Sequence, residues 1–295
     1  MIVYGTKIDS DVPFPLELPE TGAWRYELTL RRDPPDALRK APVHERFLFE
    51  THGRDVYFRS DRAFDVPVAG QPFAYKVGGV VQFYWYYGER TIYYTFEGSD
   101  DSLLAFWFIH PFLPLFMTME KMFVFFHTAA LQVEGKSILF VAPYKQGKST
   151  LADFFVRKGH RLLCDDVLPT FIDNDGRVLC SASFPYRRPF RGPETLGIYT
   201  RNYAASFQTV DALFVLDNGA GDESVGITEI RGVEKFTTLR EHGMLFTLKF
   251  LHLDQHEHLL TLLDRSRVFR LRRPWGMEYL GDVYDKLMKY TKDFL

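Results

Sequence analysis

The sequence predicts an α/β fold, and three features of the chain support this prediction. Residues 137–141 form an apolar, partly β-branched run of strand type, and residues 151–158 have the spacing of an amphipathic helix that ends before Gly159. A further buried strand follows and ends in two carboxylates, Asp165 and Asp166. Strands that alternate with helices in this way are typical of a sheet covered by helices.

The first hundred residues carry short runs of alternating residue type that are separated by turns, as in an antiparallel sheet. The runs are 24–30, 45–50, 56–59, 80–87 and 91–96. The aromatic stretch 83–87 could stack on a peptide or a nucleobase, although packing within the sheet is the favoured interpretation. We therefore predict a β-rich domain over residues 1–102 and an α/β domain over residues 103–295.

The loop between the central strand and helix, residues 142–150, ends in the run Gln146-Gly147-Lys148-Ser149-Thr150. Such a loop binds phosphate because successive backbone N–H groups point into one concavity and the following helix dipole lies behind them. Its composition predicts binding of ATP and Mg²⁺, with the lysine on the β and γ phosphates and the serine hydroxyl on the metal ion. The predicted nucleotide-binding residues are Tyr144, Lys145, Gln146, Gly147, Lys148, Ser149 and Thr150.

Two positions depart from the full phosphate-loop pattern. Ala142 stands where the pattern begins with glycine, and Lys145 stands where related loops often have a second glycine. A non-glycine residue at position 145 costs free energy if the loop needs a positive φ there.

The order of elements around this loop resembles the catalytic domain of HPr kinase/phosphorylase. His127 opens the strand before the loop, and a Gly-His-Arg-Leu run at 159–162 leads to Asp165 and Asp166, so that the likeness spans about residues 123–170. The arginine-proline segment 270–274 looks like the one that closes many stand-alone members. The resemblance implies a phosphate-loop kinase core of the HPr kinase/phosphoenolpyruvate carboxykinase type, with a mixed central sheet.

The resemblance also implies roles for individual side chains. Asp165 would be the catalytic base, and Asp166 would bind magnesium together with Ser149, although either order of the two carboxylates is chemically reasonable. His127 would lie next to the γ-phosphate, and Lys148 would hold the phosphates. The alternatives are a solvated strand end for the aspartates and a structural role for the histidine.

Two arginine clusters can neutralise charge on a transferred phosphoryl group, because a guanidinium fork matches phosphate geometry. Arg187 and Arg188 follow a segment that in related kinases faces the acceptor, and Arg272 and Arg273 lie near the end of the chain. We predict a substrate-binding role for these four residues. Either cluster could instead be a solvated loop or a subunit contact.

Composition narrows the class of protein. The chain has 295 residues, of which 46% are hydrophobic and 25% charged, and a formal net charge of −2, so nucleic acid is not an expected partner. The two cysteines lack metal-ligand spacing and no secretory leader is recognisable, which predicts a cytoplasmic protein. Prolines and charges interrupt the apolar segment 103–126, so we expect a buried helical segment and no stable membrane span.

The predicted function is transfer of the γ-phosphate of ATP to a serine of a peptide or protein. The N-terminal part resembles the leader of stand-alone HPr-kinase-like proteins, some of which phosphorylate a serine of a ribosomally made, lasso-type peptide. A small-molecule kinase acting on a sugar or hydroxy acid, and a non-catalytic nucleotide sensor, remain open. Carboxykinase chemistry needs a ligand set that the sequence does not reveal. A homo-oligomer is a further expectation, since the HPr enzymes assemble as hexamers.

Overall fold

The computed structural model describes residues 1–62, 66–143, 145–189, 192, 194–219, 224–242 and 251–294, and only the backbone of residues 242, 252 and 294. The described chain divides into two compact units. Unit 1 comprises Met1–Glu20, Trp24–Met122 and Arg191–Leu196, and unit 2 comprises Thr21–Ala23, Phe123–Phe190 and Gly197–Leu295.

Unit 1 contains a mixed sheet of eight strands among the described residues, in the order β1-β2-β3-β8-β7-β6-β5-β4. The strands are β1 (Ile2–Val3), β2 (Thr6–Ser10), β3 (Tyr26–Arg32), β4 (His44–Thr51), β5 (Arg54–Ser60), β6 (Pro72–Val77), β7 (Val81–Tyr86) and β8 (Thr91–Phe96). A short helix, α1 (Asp36–Lys40), precedes β4. The antiparallel sheet expected from the sequence is therefore wrong in one respect, because β3 runs parallel to both β2 and β8.

A long helical segment completes unit 1. It consists of α2 (Asp101–Trp107), a π-helical turn (Phe108–Phe112) and α3 (Leu113–Met119). The π turn contains Pro111, whose ring cannot continue the regular hydrogen-bond ladder. The Phe112 ring stacks on Phe83 of β7 at 4.3 Å between centroids. This packing explains why the helical segment belongs to unit 1, so that the division falls after Met122, whereas the sequence placed it after residue 102.

The same packing accounts for the aromatic stretch on β7. Phe83 and Trp85 are fully buried, and Trp85 also contacts the rings of Phe112 and Phe116. These side chains form core rather than a binding face. The segment Asp101–Met119 has the length and apolar composition of a membrane span, but 72% of its most apolar window is buried inside the protein, as in the core helix of a globular domain.

Unit 2 is an α/β structure with mixed sheets, as predicted. Its strands are β9 (Val124–His127), β10 (Ala129–Val133), β11 (Lys136–Val141), β12 (Arg161–Cys164), β13 (Val167–Ile172), β14 (Val178–Cys180), β15 (Tyr186–Arg187), β16 (Ile198–Tyr199), β17 (Gln208–Thr209), β18 (Ala212–Asn218), β19 (Gly226–Glu229) and β20 (Arg267–Arg273). Its helices are α4 (Lys148–Arg157), α5 (Gly232–His242), α6 (His252–Arg265) and α7 (Leu280–Phe294).

The central sheet of unit 2 has the order β12-β10-β11-β18-β20-β19. Both of its faces are covered, because alternate residues of β11 enter different apolar clusters. Ile138 and Phe140 pack with residues of α4 and α7, whereas Leu139 and Val141 pack with residues of α6. Burial on both faces explains why this strand reads as a continuous apolar run in the sequence.

Strand direction brings several loop and strand ends to one edge of this sheet. β18 is parallel to β11, and β20 is parallel to β18. β12 runs in the same direction as β11, since both are antiparallel to β10, which lies between them. The carboxyl ends of β11, β12, β18 and β20 therefore meet at the same edge.

Two neighbouring connections at this edge lead from the central sheet to a second sheet with the order β17-β14-β13-β9. One connection is Thr128, between β9 and β10, and the other is Asp165-Asp166, between β12 and β13. The Thr128 N–H donates a hydrogen bond to the Asp166 carbonyl oxygen at 3.1 Å, and His127 is paired with Val167 in the sheet register. The backbone thus holds His127 beside the paired aspartates.

Candidate functional site

The predicted phosphate loop follows β11 and leads directly into α4. Gly147 is the N-cap of α4 and has a φ of 81°, a left-handed conformation that glycine adopts without steric cost. Lys145 also has a positive φ, 62°, so the loop does demand the conformation for which related loops use glycine. Tyr144, a predicted nucleotide-binding residue, lies outside the described residues.

Lys148 is buried at the base of this loop. Its ammonium donates to the carbonyl oxygens of Ala142 at 2.7 Å and of Pro143 at 3.3 Å. These contacts close the loop on itself and keep the lysine charge beside the first helical turn. Ser149 and Thr150 are half-buried in that turn, where the positive end of the helix dipole favours an anion.

Two strand ends hold the loop at Gln146. Arg273, the last residue of β20, donates from Nη2 to the Gln146 carbonyl oxygen at 2.8 Å. Asn218, the last residue of β18, donates from Nδ2 to the Gln146 side-chain oxygen. The two are paired in the register of β18 and β20. A Cβ at position 147 would lie 2.5 Å from Arg273 Nη2, so glycine also makes room for this guanidinium.

Asp165 is a buried carboxylate, with 4% of its surface exposed. Its Oδ2 accepts a hydrogen bond from the Arg188 backbone N–H, and among the described residues its Oδ1 has no hydrogen-bond partner. Burial raises the pKa of Asp165 from 3.8 to about 7; the Arg188 amide opposes this shift, the negative charge of Asp166 adds to it, and the Ser149 hydroxyl, in the first turn of α4, also opposes it. Asp165 is therefore poised to exchange a proton near neutral pH.

Asp166 is held by two cationic or polar groups. His127 Nδ1 lies 3.1 Å from Asp166 Oδ1, and Arg188 Nη1 lies 3.6 Å from Asp166 Oδ2. Arg188 thus contacts both aspartates, one through its backbone and the other through its guanidinium. This arrangement orients the pair and reduces the repulsion between two adjacent carboxylates.

The arginines predicted to bind substrate occupy different environments. Arg187 forms an ion pair with Asp153, a buried residue of α4 that also pairs with Arg157. Burial lowers the pKa of Arg187 and of Arg273. Arg272 is exposed, and its side-chain carbons run along Gly219. The structure brings Arg188 and Arg273 to the sheet edge, gives Arg187 a partner on α4, and leaves Arg272 at the surface.

The arrangement fits a nucleotide with a magnesium ion. Carboxylate and hydroxyl oxygens are the ligands that Mg²⁺ prefers, and Asp165, Asp166 and Ser149 supply both kinds, with Ser149 interacting with Asp165. Within the described part of the chain, no three His, Cys, Asp or Glu side chains form a metal-binding group. Magnesium commonly takes one or two protein ligands and completes its shell with phosphates and water, so a pair of side chains such as the predicted Ser149 and Asp166 is compatible with its chemistry.

Sequence reasoning missed three contributors to the site. Asn218 ends an apolar strand with a polar side chain, which is a recognisable signal for a residue at a sheet edge. The backbone amide of Arg188 and the carboxylate of Asp153 gave no such signal, because their roles depend on contacts between segments far apart in the chain.

No protein-family model and no curated protein matches this sequence. Among solved structures, the HPr(Ser) kinase/phosphatase from Coxiella burnetii is similar over 57% of this chain and 89% of its own, with 14% sequence identity and a TM-score of 0.34. A likeness of this size carries no argument about the fold or the chemistry of this chain.

Proposed function

We propose that the protein is an ATP- and Mg²⁺-dependent kinase that transfers the γ-phosphate to a serine hydroxyl of a peptide or protein. One observation carries the proposal. A buried aspartate with a pKa of about 7 ends one strand of the sheet, and a loop of phosphate-binding sequence follows another strand at the same edge. A base and a phosphate site brought together are what phosphoryl transfer to a hydroxyl requires.

The phosphates would lie against the backbone amides of the loop and the first turn of α4. Lys148 would exchange its contacts with the Ala142 and Pro143 carbonyl oxygens for contacts with phosphate oxygens, whose negative charge offers the stronger hydrogen bonds to an ammonium. Ser149 and Asp166 would hold Mg²⁺, which when bound neutralises charge on the phosphates. Arg273 and Asn218 keep Gln146 in place and so preorganise the loop.

Asp165 would act as the general base. Its Oδ1, unpartnered among the described residues, can accept the proton of an incoming serine hydroxyl, while its Oδ2 stays bonded to the Arg188 amide. The serine oxygen then bonds to the γ-phosphorus, the bond to the leaving oxygen of ADP breaks, and the proton resides on Asp165. His127 contributes by orienting Asp166. A base whose pKa lies near the working pH is deprotonated in a large fraction of molecules and still binds the transferred proton well.

The test separates nucleotide binding from transfer. Asp165→Asn preserves the shape of the side chain and its acceptor for the Arg188 amide, so we expect ATP affinity within about threefold of the wild type. Transfer of labelled γ-phosphate to a panel of serine-containing peptides should fall by at least about 100-fold. Asp36→Asn, which changes an exposed carboxylate of α1 in unit 1, is the matched control. Undiminished transfer by Asp165→Asn would contradict the assignment.

The identity of the acceptor is part of the proposal and needs its own measurement. A lasso-type precursor peptide is the first substrate to offer, and mass spectrometry would locate phosphate on one serine. Phosphorylation of sugars or hydroxy acids, with none on peptides, would favour a small-molecule kinase that uses the same residues.

A nucleotide sensor is the second candidate, and the left-handed Lys145 favours it. A non-glycine residue at a φ of 62° replaces the glycine that phosphate loops often have there, and a loop altered in this way would still bind phosphate without holding the γ-phosphate in the geometry that transfer requires. ATP binding with no turnover across peptide, protein and small-molecule acceptors would support this candidate over the kinase.

A further inference from the structure

The segment that follows β20 exposes two large apolar side chains. Trp275 and Met277 are each 60% exposed, whereas Pro274 between Arg273 and Trp275 is buried. A single exposed apolar residue is common on protein surfaces and needs no explanation. Two that are separated only by Gly276, on the segment that follows a strand end of the candidate site, are together called the Trp275 surface.

The Trp275 surface is connected to the phosphate loop through one buried side chain. Arg273 is 4% exposed, and its guanidinium lies 5.7 Å from the centre of the Trp275 ring. The same guanidinium donates to the Gln146 carbonyl oxygen at 2.8 Å. Arg273 therefore contacts both the loop and the indole, and its cation lies over one face of the ring.

Strand order determines the side of the loop on which Trp275 lies. β12, which carries Asp165, is two strands from β11 in one direction, and β20, which carries Arg273, is two strands from β11 in the other. At the usual strand spacing each is roughly 10 Å from the start of the phosphate loop. The two ends of a nucleotide, the γ-phosphate and the base, are likewise separated by the phosphates between them.

We infer that the Trp275 surface is a stacking site for the base of a nucleoside triphosphate whose phosphates occupy the loop. The inference rests on the proposed function, because a γ-phosphate directed toward Asp165 places the base on the β18 and β20 side. Arg273 covers one face of the indole, so a base would stack on the other, and the exposed Met277 is a second apolar side chain on the same segment. Stacking alone tolerates different bases, so we expect ATP and GTP to bind with similar affinity.

The experiment compares two ligands that share phosphates but differ in the base. Mg²⁺-ATP and Mg²⁺-tripolyphosphate are titrated into the full-length protein and into Trp275→Ala and Trp275→Phe, with affinities measured by calorimetry. The matched control is Trp24→Ala, because Trp24 in unit 1 is also exposed, at 44%, and also lies near a cation, Lys7, 5.1 Å from its ring.

Trp275→Ala should weaken ATP binding by about tenfold and leave tripolyphosphate binding unchanged, since the lost contact involves only the base. Trp275→Phe should stay within about threefold of the wild type, and Trp24→Ala should change neither ligand. Unchanged tripolyphosphate binding also shows that the variants fold.

Two other results overturn the inference in distinguishable ways. If Trp275→Ala leaves the affinity for ATP unchanged, or weakens the binding of both ligands equally, the base does not stack on Trp275. The phosphate site is not contradicted by either result. If the wild-type protein binds neither ligand, the phosphate site itself is wrong and the proposed function fails together with the stacking site.

Discussion

The buried charge of Asp165 has a cost in stability that can be measured. The pKa of this carboxyl is raised from 3.8 to about 7, mainly by burial, so the folded protein keeps a proton that the unfolded chain releases. The free energy of unfolding therefore falls as pH rises from about 4 to about 7, by about 1.4 kcal/mol per pH unit, and the loss is complete above pH 7. The total is about 4 kcal/mol.

Asp165→Asn removes this cost because the amide stays neutral at every pH. Relative to the wild type, the variant should gain stability progressively from pH 4 to pH 7, and the gain should then remain constant. Between pH 5 and pH 7 the difference should grow by about 2 to 3 kcal/mol. Below pH 4 the two proteins should be nearly equally stable, since Asp165 is protonated in both states.

The assay must report on unit 2 separately, because a chain with two units need not unfold in one step. Pulsed hydrogen–deuterium exchange along a urea gradient, read by mass spectrometry on peptides that cover β11 and β12, provides this information at pH 5, 6, 7 and 8. Asp36→Asn is again the control and should show no comparable trend. A stability difference for Asp165→Asn that is flat between pH 5 and pH 7 would refute the reasoning.

Two further predictions concern the phosphate loop. Lys145→Gly should stabilise unit 2 by about 0.5–1 kcal/mol in the same exchange assay, because a φ of 62° suits glycine. The control Lys158→Gly replaces a residue with a φ of −82° and should destabilise unit 2. Equal effects of the two substitutions on stability would contradict backbone strain at Lys145. Asn218→Ala should weaken tripolyphosphate binding about fivefold, because it removes a hydrogen bond worth about 1 kcal/mol that holds Gln146. The control Asn202→Ala removes an amide that donates to the Val156 carbonyl oxygen, and it should leave tripolyphosphate binding unchanged. Unchanged binding by both variants would show that the loop does not need Asn218.

Local features of the chain could be predicted from the sequence. The strand 137–141 and the helix 151–158 correspond to β11 and α4 within a few residues, because apolar periodicity and a closing glycine act over short distances. The pair Asp165-Asp166 was likewise expected at the end of a strand, and it follows β12 directly. The free-energy cost of a non-glycine residue at position 145 could also be predicted from the sequence. The glycine is visibly missing there, and the backbone of Lys145 has the positive φ that such loops require.

Features that depend on pairing between distant segments could not be predicted from the sequence. The sequence does not reveal that β3 lies parallel between β2 and β8, or that the helical segment Asp101–Met119 packs on β7 and so belongs to unit 1. Nor does the sequence reveal that the fold pairs Arg187 with Asp153, and the predicted role of Arg187 toward a substrate stays a prediction. In each case the outcome is set by tertiary contacts, which override local composition.

The chemical groups of the site could be predicted from the sequence: a loop of phosphate-binding type, a lysine at the start of a helix, and two adjacent carboxylates. Each is a short run whose meaning depends on its neighbours in the chain. Which of these groups meet, and how deeply they are buried, follows from the fold. The parallel register of β11, β18 and β20 brings Asn218 and Arg273 to Gln146, and burial moves the pKa of Asp165 toward neutrality. Register and burial are properties of the packed sheet, and for that reason a local reading of the chain cannot supply them.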